Sequence, residues 1–115
     1  MTPDEFRELA LSLPEAVEGA DMGHADFRVG GKIFASLGYP DADHGMVILP
    51  PEAQTEYLAS HPKAFARASG AWGVGGATNV RLAAIDLETA SDALASAWRR
   101  RLPRRLAAQF AHQQR

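Results

Sequence analysis

The chain of 115 residues contains no cysteine. That absence excludes a disulfide framework, a thiolate metal site and a cysteine nucleophile, and it leaves packing as the source of stability. Such a chain suits a reducing compartment. Long apolar runs are absent as well, and nothing approaches the length of a membrane span. The opening "MTPDEFRELA" carries acids where a secretion signal needs a basic region, so the expected location is the cytoplasm, with no membrane partner. Basic residues are scarce over most of the chain. Residues 1–98 hold 6 Lys and Arg against all 14 Asp and Glu, whereas residues 99–115 hold 6 Arg and no acid. The net charge of -2 thus averages an acidic body and a basic appendage.

The length and the ordinary apolar and charged fractions fit one domain over residues 1–115. Thr2-Pro3-Asp4-Glu5 combines an N-cap hydroxyl, a proline at the first helical position and a glutamate at N3, a capping box that starts a helix. Phe6, Leu9, Ala10 and Leu13 then share one helical face, and Pro14 prevents the helix from running on. From Val17 to Leu49 the pattern turns to short β segments. "ADFRV" and "KIFASL" flank Gly30-Gly31, a pair suited to a tight hairpin turn. That turn predicts Phe27 opposite Phe34 on one face and Arg28 opposite Ile33 on the other. "GMVIL" follows as a third strand.

Pro50-Pro51 opens a helix through "EAQTEYLAS", with Tyr57 and Leu58 facing inward and Pro62 beyond its end. Asp86 is the expected N-cap of a last helix, in which Leu94, Trp98, Leu102, Leu106 and Phe110 recur every fourth residue. Pro103 interrupts that stripe and predicts a kink or a fresh helix. The terminal "HQQR" is expected to fray. This order of elements implies an α+β domain of two layers, an antiparallel sheet with flanking helices.

The stretch "WGVGGATNVRL" resembles a phosphate cradle but lacks its chemistry. A Walker-type loop needs a lysine and a hydroxyl directly after its last glycine, and here Gly76 is followed by Ala77. The dinucleotide fingerprint fails as well, since its third glycine is replaced by Thr78 and strand character follows. The glycines therefore read as a turn or close backbone crossing ahead of a strand in which Val80 and Leu82 are buried. Trp72 is expected to pack near the hairpin. "DADHG" begins like a calcium loop, yet Met46 occupies the position that requires glycine. His24, His44, His61 and His112 lack the spacing of a zinc site, and no serine sits in a nucleophile elbow. No catalytic residue, metal or cofactor follows from the sequence.

The remaining signal is "WRRRLPRRLAAQF". Arg99, Arg100, Arg101, Arg104 and Arg105 lie largely off the apolar stripe, so the helix can dock while its guanidinium groups meet phosphates. The same arginines can equally pair with the acidic body.

Taken together, "SLPEAVE", "HADFRVGGKIFASL", "WGVGGATNVRLAAID" and "AWRRRLPRRLAAQ" resemble the MmcQ/YjbR family across almost the whole chain. The matching positions are His24, Phe27, Arg28, Gly31 and Lys32 in the hairpin, Trp72 before the glycines, and Trp98, Pro103, Arg104, Arg105 and Leu106 near the end. The resemblance implies a compact α+β domain similar to the secretion-chaperone and CyaY-like folds. It also implies DNA binding through a double-wing motif and no enzymatic activity. The segment "PPEAQTEYLASHP" departs from a basic binding face, because it holds two acids and no Lys or Arg.

Three readings follow. In the first, the chain is a non-enzymatic DNA-binding module using Arg28, Lys32, Arg81, Arg99, Arg100, Arg101, Arg104 and Arg105. In the second, it is a protein-interaction module or homodimer without nucleic-acid binding. In the third, it carries a pocket at His24, Phe27 and Trp72 in which Arg28 helps to hold a small anionic ligand.

Overall fold

The computed structural model describes residues 1–110. The expected fraying of the last residues and the role of His112 lie outside the described residues. Helix α1 (Pro3–Leu11) begins with the capping box foreseen from the sequence: the Glu5 amide donates to Thr2 Oγ1 and the Thr2 amide to Glu5 Oε1. Strands β1 (Val17–Asp21), β2 (His24–Val29), β3 (Lys32–Leu37) and β4 (His44–Ile48) follow. Next come α2 (Pro51–Ser60), β5 (Phe65–Arg67), α3 (Gly70–Val74) and β6 (Ala77–Arg81). After one 3-10 turn, α4 (Leu87–Arg101) and α5 (Arg104–Phe110) complete the described chain.

The six strands form one antiparallel sheet in the order β1-β2-β3-β4-β6-β5. β1 was not foreseen: with sequence VEGAD it has little strand propensity and is held extended by its pairing with β2. After α2, where the sequence leaves one or two strands open, there are two, β6 and the three-residue β5 on the far edge. The β2–β3 turn at Gly30-Gly31 has positive φ at both residues, as a tight hairpin of this length requires. Arg28 stands opposite Ile33 as expected, but a register shift between Phe27 and Arg28 sets Phe27 opposite Ala35 rather than Phe34. The extra residue of a bulge lets Phe34 and Ala35 both turn toward the core.

Helices α1 and α4 cover one sheet face, along β3 and β4. Phe6, Phe27, Val29, Phe34, Val47, Val80 and Leu94 are buried between the layers. Trp98 closes one side of this core, its indole N–H donating to the Pro14 carbonyl at 2.9 Å and its ring lying 5.8 Å from that of Phe110. Asp86 caps α4 by accepting from the Thr89 amide, a bond that holds its carboxyl below its ordinary pKa. At the other end the chain leaves the helix at Leu102, whose ψ of 124° is the extended conformation that a following proline favours. Pro103 then accepts from the amides of Leu106 and Ala107 and starts α5. The stripe from Leu94 to Phe110 is thus two helices in series.

Gln54, a polar residue of α2, is 2% exposed. Its side-chain amide donates to the Gly73 carbonyl at 2.9 Å, Thr78 Oγ1 at 3.0 Å and the Ala77 carbonyl at 3.2 Å. One buried group therefore joins α2, α3 and β6. Replacing Gln54 by Leu keeps most of the volume but leaves buried acceptors without donors, at an expected cost of about 2–3 kcal/mol. Urea unfolding measures this loss, and a variant as stable as the parent would contradict it.

Candidate functional site

The sheet has one packed face and one open face. Along β2, Phe27 and Val29 point into the core while His24, Asp26 and Arg28 alternate onto the open side. On that side lies a cavity of about 250 Å³. Its floor includes Ile33 and Met46, and its walls include Asp21, His24, Asp26, Ser36 and Asn79. Tyr39, from the β3–β4 connection, and Trp72, from α3, form its rim and are 59% and 61% exposed. The His24 ring meets Tyr39 edge-on at 6.3 Å.

Trp72 thus lies near the hairpin, as expected, at the rim of a cavity lined by β2 and β3 residues, with most of its surface in water. The short helix α3 crosses over the open face, and the glycines after it let the chain turn back beneath. A Cβ at Gly76 would lie 2.0 Å from the Leu49 carbonyl oxygen, so only glycine allows this crossing. The Leu49 amide donates back to Gly76 O at 2.9 Å. The stretch is a backbone crossing that presents a tryptophan, with no cradle of amides aimed at a ligand.

The residues expected to form an anionic pocket are split between the two faces. His24 and Trp72 do meet at the cavity. Phe27 does not reach it: it is fully buried on the opposite face, 6.4 Å from the Phe6 ring. Arg28 is also absent from the lining. Its Nε and a terminal nitrogen donate to the two oxygens of Asp26 at 2.8 and 3.0 Å, a bidentate pair. The hydrogen bond to Asp26, and then the charge of that carboxylate, raise the Arg28 pKa above its ordinary value. The cation expected to draw an anion is already neutralised. The pairing was legible in principle, because Asp-x-Arg in a strand puts both side chains on one face two residues apart.

The basic residues likewise divide into distinct settings. Arg100 donates from one terminal nitrogen to the carbonyls of Leu49 and Gly75, which fastens the end of α4 to the glycine crossing. Arg101 is half-buried, with Nε out of contact with water and without a hydrogen-bond partner. Arg81, at the end of β6, pairs with His44 at the end of the sheet remote from the Gly30-Gly31 turn. Lys32, Arg99, Arg104 and Arg105 are exposed. The hairpin tip packs directly on the α4–α5 junction, since a Cβ at Gly30 would lie 2.1 Å from Pro103 Cγ. This contact brings the strand that starts at Lys32 beside the helix that starts at Arg104.

The resemblance of Asp41–Gly45 to a calcium loop also dissolves in the structure. Asp41 Oδ1 accepts from the Asp43 amide at 2.9 Å and bonds His44 Nδ1 at 2.8 Å. The carboxylate is bound within its own loop, and the bond to His44, followed by that to the Asp43 amide, lowers its pKa. Among the described residues no three His, Asp or Glu side chains converge as metal ligands, and no helix is long and apolar enough to cross a membrane.

With this geometry established, comparison with known proteins supplies a relationship. A family model described as YjbR matches residues 11–100. The fold is similar to the crystal structure of Deinococcus radiodurans protein DR2400, described with a DUF419 domain. The TM-score is 0.74 over 96% of this chain and 88% of that one, at 16% sequence identity; at such identity the likeness shows a shared fold. No curated protein matches the sequence.

The contrast between the two tryptophans is directly measurable. Trp72 is 61% exposed and Trp98 3%, so acrylamide should quench one component of the fluorescence strongly and the other weakly. Trp72→Phe should remove the accessible component alone. Uniformly weak quenching in the parent protein would place Trp72 in the core.

Proposed function

This chain belongs to the YjbR family, and from that premise we propose that it is a non-enzymatic nucleic-acid-binding module that grips phosphates at one end of the molecule. The observation that supports this reading is the packing of the β2–β3 hairpin tip on Pro103, which sets exposed Lys32 beside exposed Arg104 and Arg105. A hairpin wing and a helix start then present cations side by side. The planar forks of the two arginines suit bidentate bonds to phosphate oxygens, whereas Arg99 lines a separate groove between α2 and α4 with Glu56 and Asp92.

The binding face differs from the one drawn from sequence. Arg28 is paired with Asp26, Arg100 with backbone carbonyls, and Arg81 lies at the other end of the sheet. The contact thus rests on Lys32, Arg104 and Arg105. These are backbone contacts, which set affinity and salt dependence and carry no base readout.

Fluorescence anisotropy of a labelled DNA duplex at two salt concentrations tests the proposal. Binding should fall steeply with salt. In the double variant Arg104→Glu, Arg105→Glu it should weaken for all sequences alike, with the log–log salt slope smaller in magnitude by about 2. Arg100→Ala should lower the urea midpoint and leave that slope unchanged, because its guanidinium is occupied by Leu49 and Gly75. A double variant that binds like the parent, or a parent that binds no duplex at low salt, would overturn the reading.

A further inference from the structure

The cavity on the open face has a chemistry opposite to that of the basic end. No Lys or Arg lines it. Its polar walls are the carboxylates of Asp21 and Asp26 together with His24, Ser36, Tyr39 and Asn79. The Asp21 carboxylate has no ion-pair partner among the described residues. Asn79 Oδ1, out of contact with water, has no hydrogen-bond partner. Asp26 adds a second carboxylate, with both oxygens already held by Arg28. Beneath these groups Ile33 and Met46 give an apolar floor, and Trp72 stands on the rim with most of its surface in water.

An anion entering this space would meet the carboxylates of Asp21 and Asp26 and no Lys or Arg side chain. A neutral apolar group would desolvate the Asp21 carboxylate without supplying a counter-charge. A ligand that satisfies every wall must carry positive charge, donate several hydrogen bonds and offer a flat face to an indole. We propose that this cavity binds a guanidinium group on a short apolar stem. The guanidinium lies against Trp72, its N–H groups donate to the Asp21 carboxylate, and the stem rests on Ile33 and Met46.

Size narrows the ligand further. At about 250 Å³ the cavity is at or below the small end of ligand sites, which typically run from roughly 300 to 1,000 Å³. It has room for one group the size of an arginine side chain. An ammonium would gain the same charge attraction, but it is compact, strongly hydrated and cannot stack, so it should bind more weakly. This inference is independent of the phosphate-binding proposal, because it uses other residues on the open face of the sheet.

Titration calorimetry of the intact protein, paired with Trp72 fluorescence, tests it with four probes: agmatine, butylamine, a blocked Gly-Arg-Gly tripeptide and inorganic phosphate. Agmatine should bind and perturb the fluorescence, more tightly than butylamine by about tenfold. Asp21→Asn and Trp72→Ala should each weaken agmatine binding by about tenfold. Both positions are exposed, and unchanged thermal melts confirm that the variants fold. A tripeptide that binds as well as agmatine would assign a chain-borne arginine as the source, and a much weaker one a free small molecule; either result supports the guanidinium site. Absence of agmatine binding at millimolar concentration, equal binding by both variants, or phosphate binding in place of the cations would overturn it.

Discussion

One buried amide sets the architecture of the open face. Gln54 enters from α2 on the helical side and donates to α3, to the start of β6 and to Thr78, whose hydroxyl in turn donates to the Gly76 carbonyl. Desolvating this group is tolerable only because each of its hydrogens finds an acceptor. The acceptors it satisfies belong to the crossing that carries Trp72. Arg100 reaches the same crossing from the end of α4. The rim of the cavity and the root of the basic helices are thus tied to one knot of backbone carbonyls.

That knot separates two surfaces of opposite sign. The near-neutral total charge conceals exposed cations at the hairpin tip and the α4–α5 junction, and unpaired acceptors on the open sheet face. Arginines in between serve the structure: Arg28 neutralises a buried carboxylate, and Arg100 fastens a helix end. A charge count alone treats all of them as available. Burial, partners and position together leave Lys32, Arg104 and Arg105 at the hairpin end to meet a phosphate.

What the sequence made legible was local. The capping box at Thr2, the Gly30-Gly31 turn, the Asp86 cap and the break at Pro103 each depend on residues within one turn of one another, and each is present. The YjbR resemblance and the α+β fold are present as well. What escaped depends on partners distant in the chain. VEGAD becomes a strand only beside β2, and the bulge that moves Phe27 opposite Ala35 leaves no mark in the sequence. The sequence places Trp72 near the hairpin but not its degree of exposure, which follows from a glycine crossing whose other half is Leu49. Gln54 carried a signal that went unused, since it lies three and four residues before inward-facing Tyr57 and Leu58 and so shares their helical face.

The central claim is that the two surfaces are distinct and take opposite kinds of ligand. Amide chemical-shift mapping of the isotopically labelled protein during titration with a DNA duplex tests it most directly. The account predicts shifts concentrated at Lys32, Arg104 and Arg105, with the amides of Asp21, Trp72 and Asn79 unmoved. Shifts centred on Trp72 and the cavity, with the α4–α5 junction silent, would contradict it.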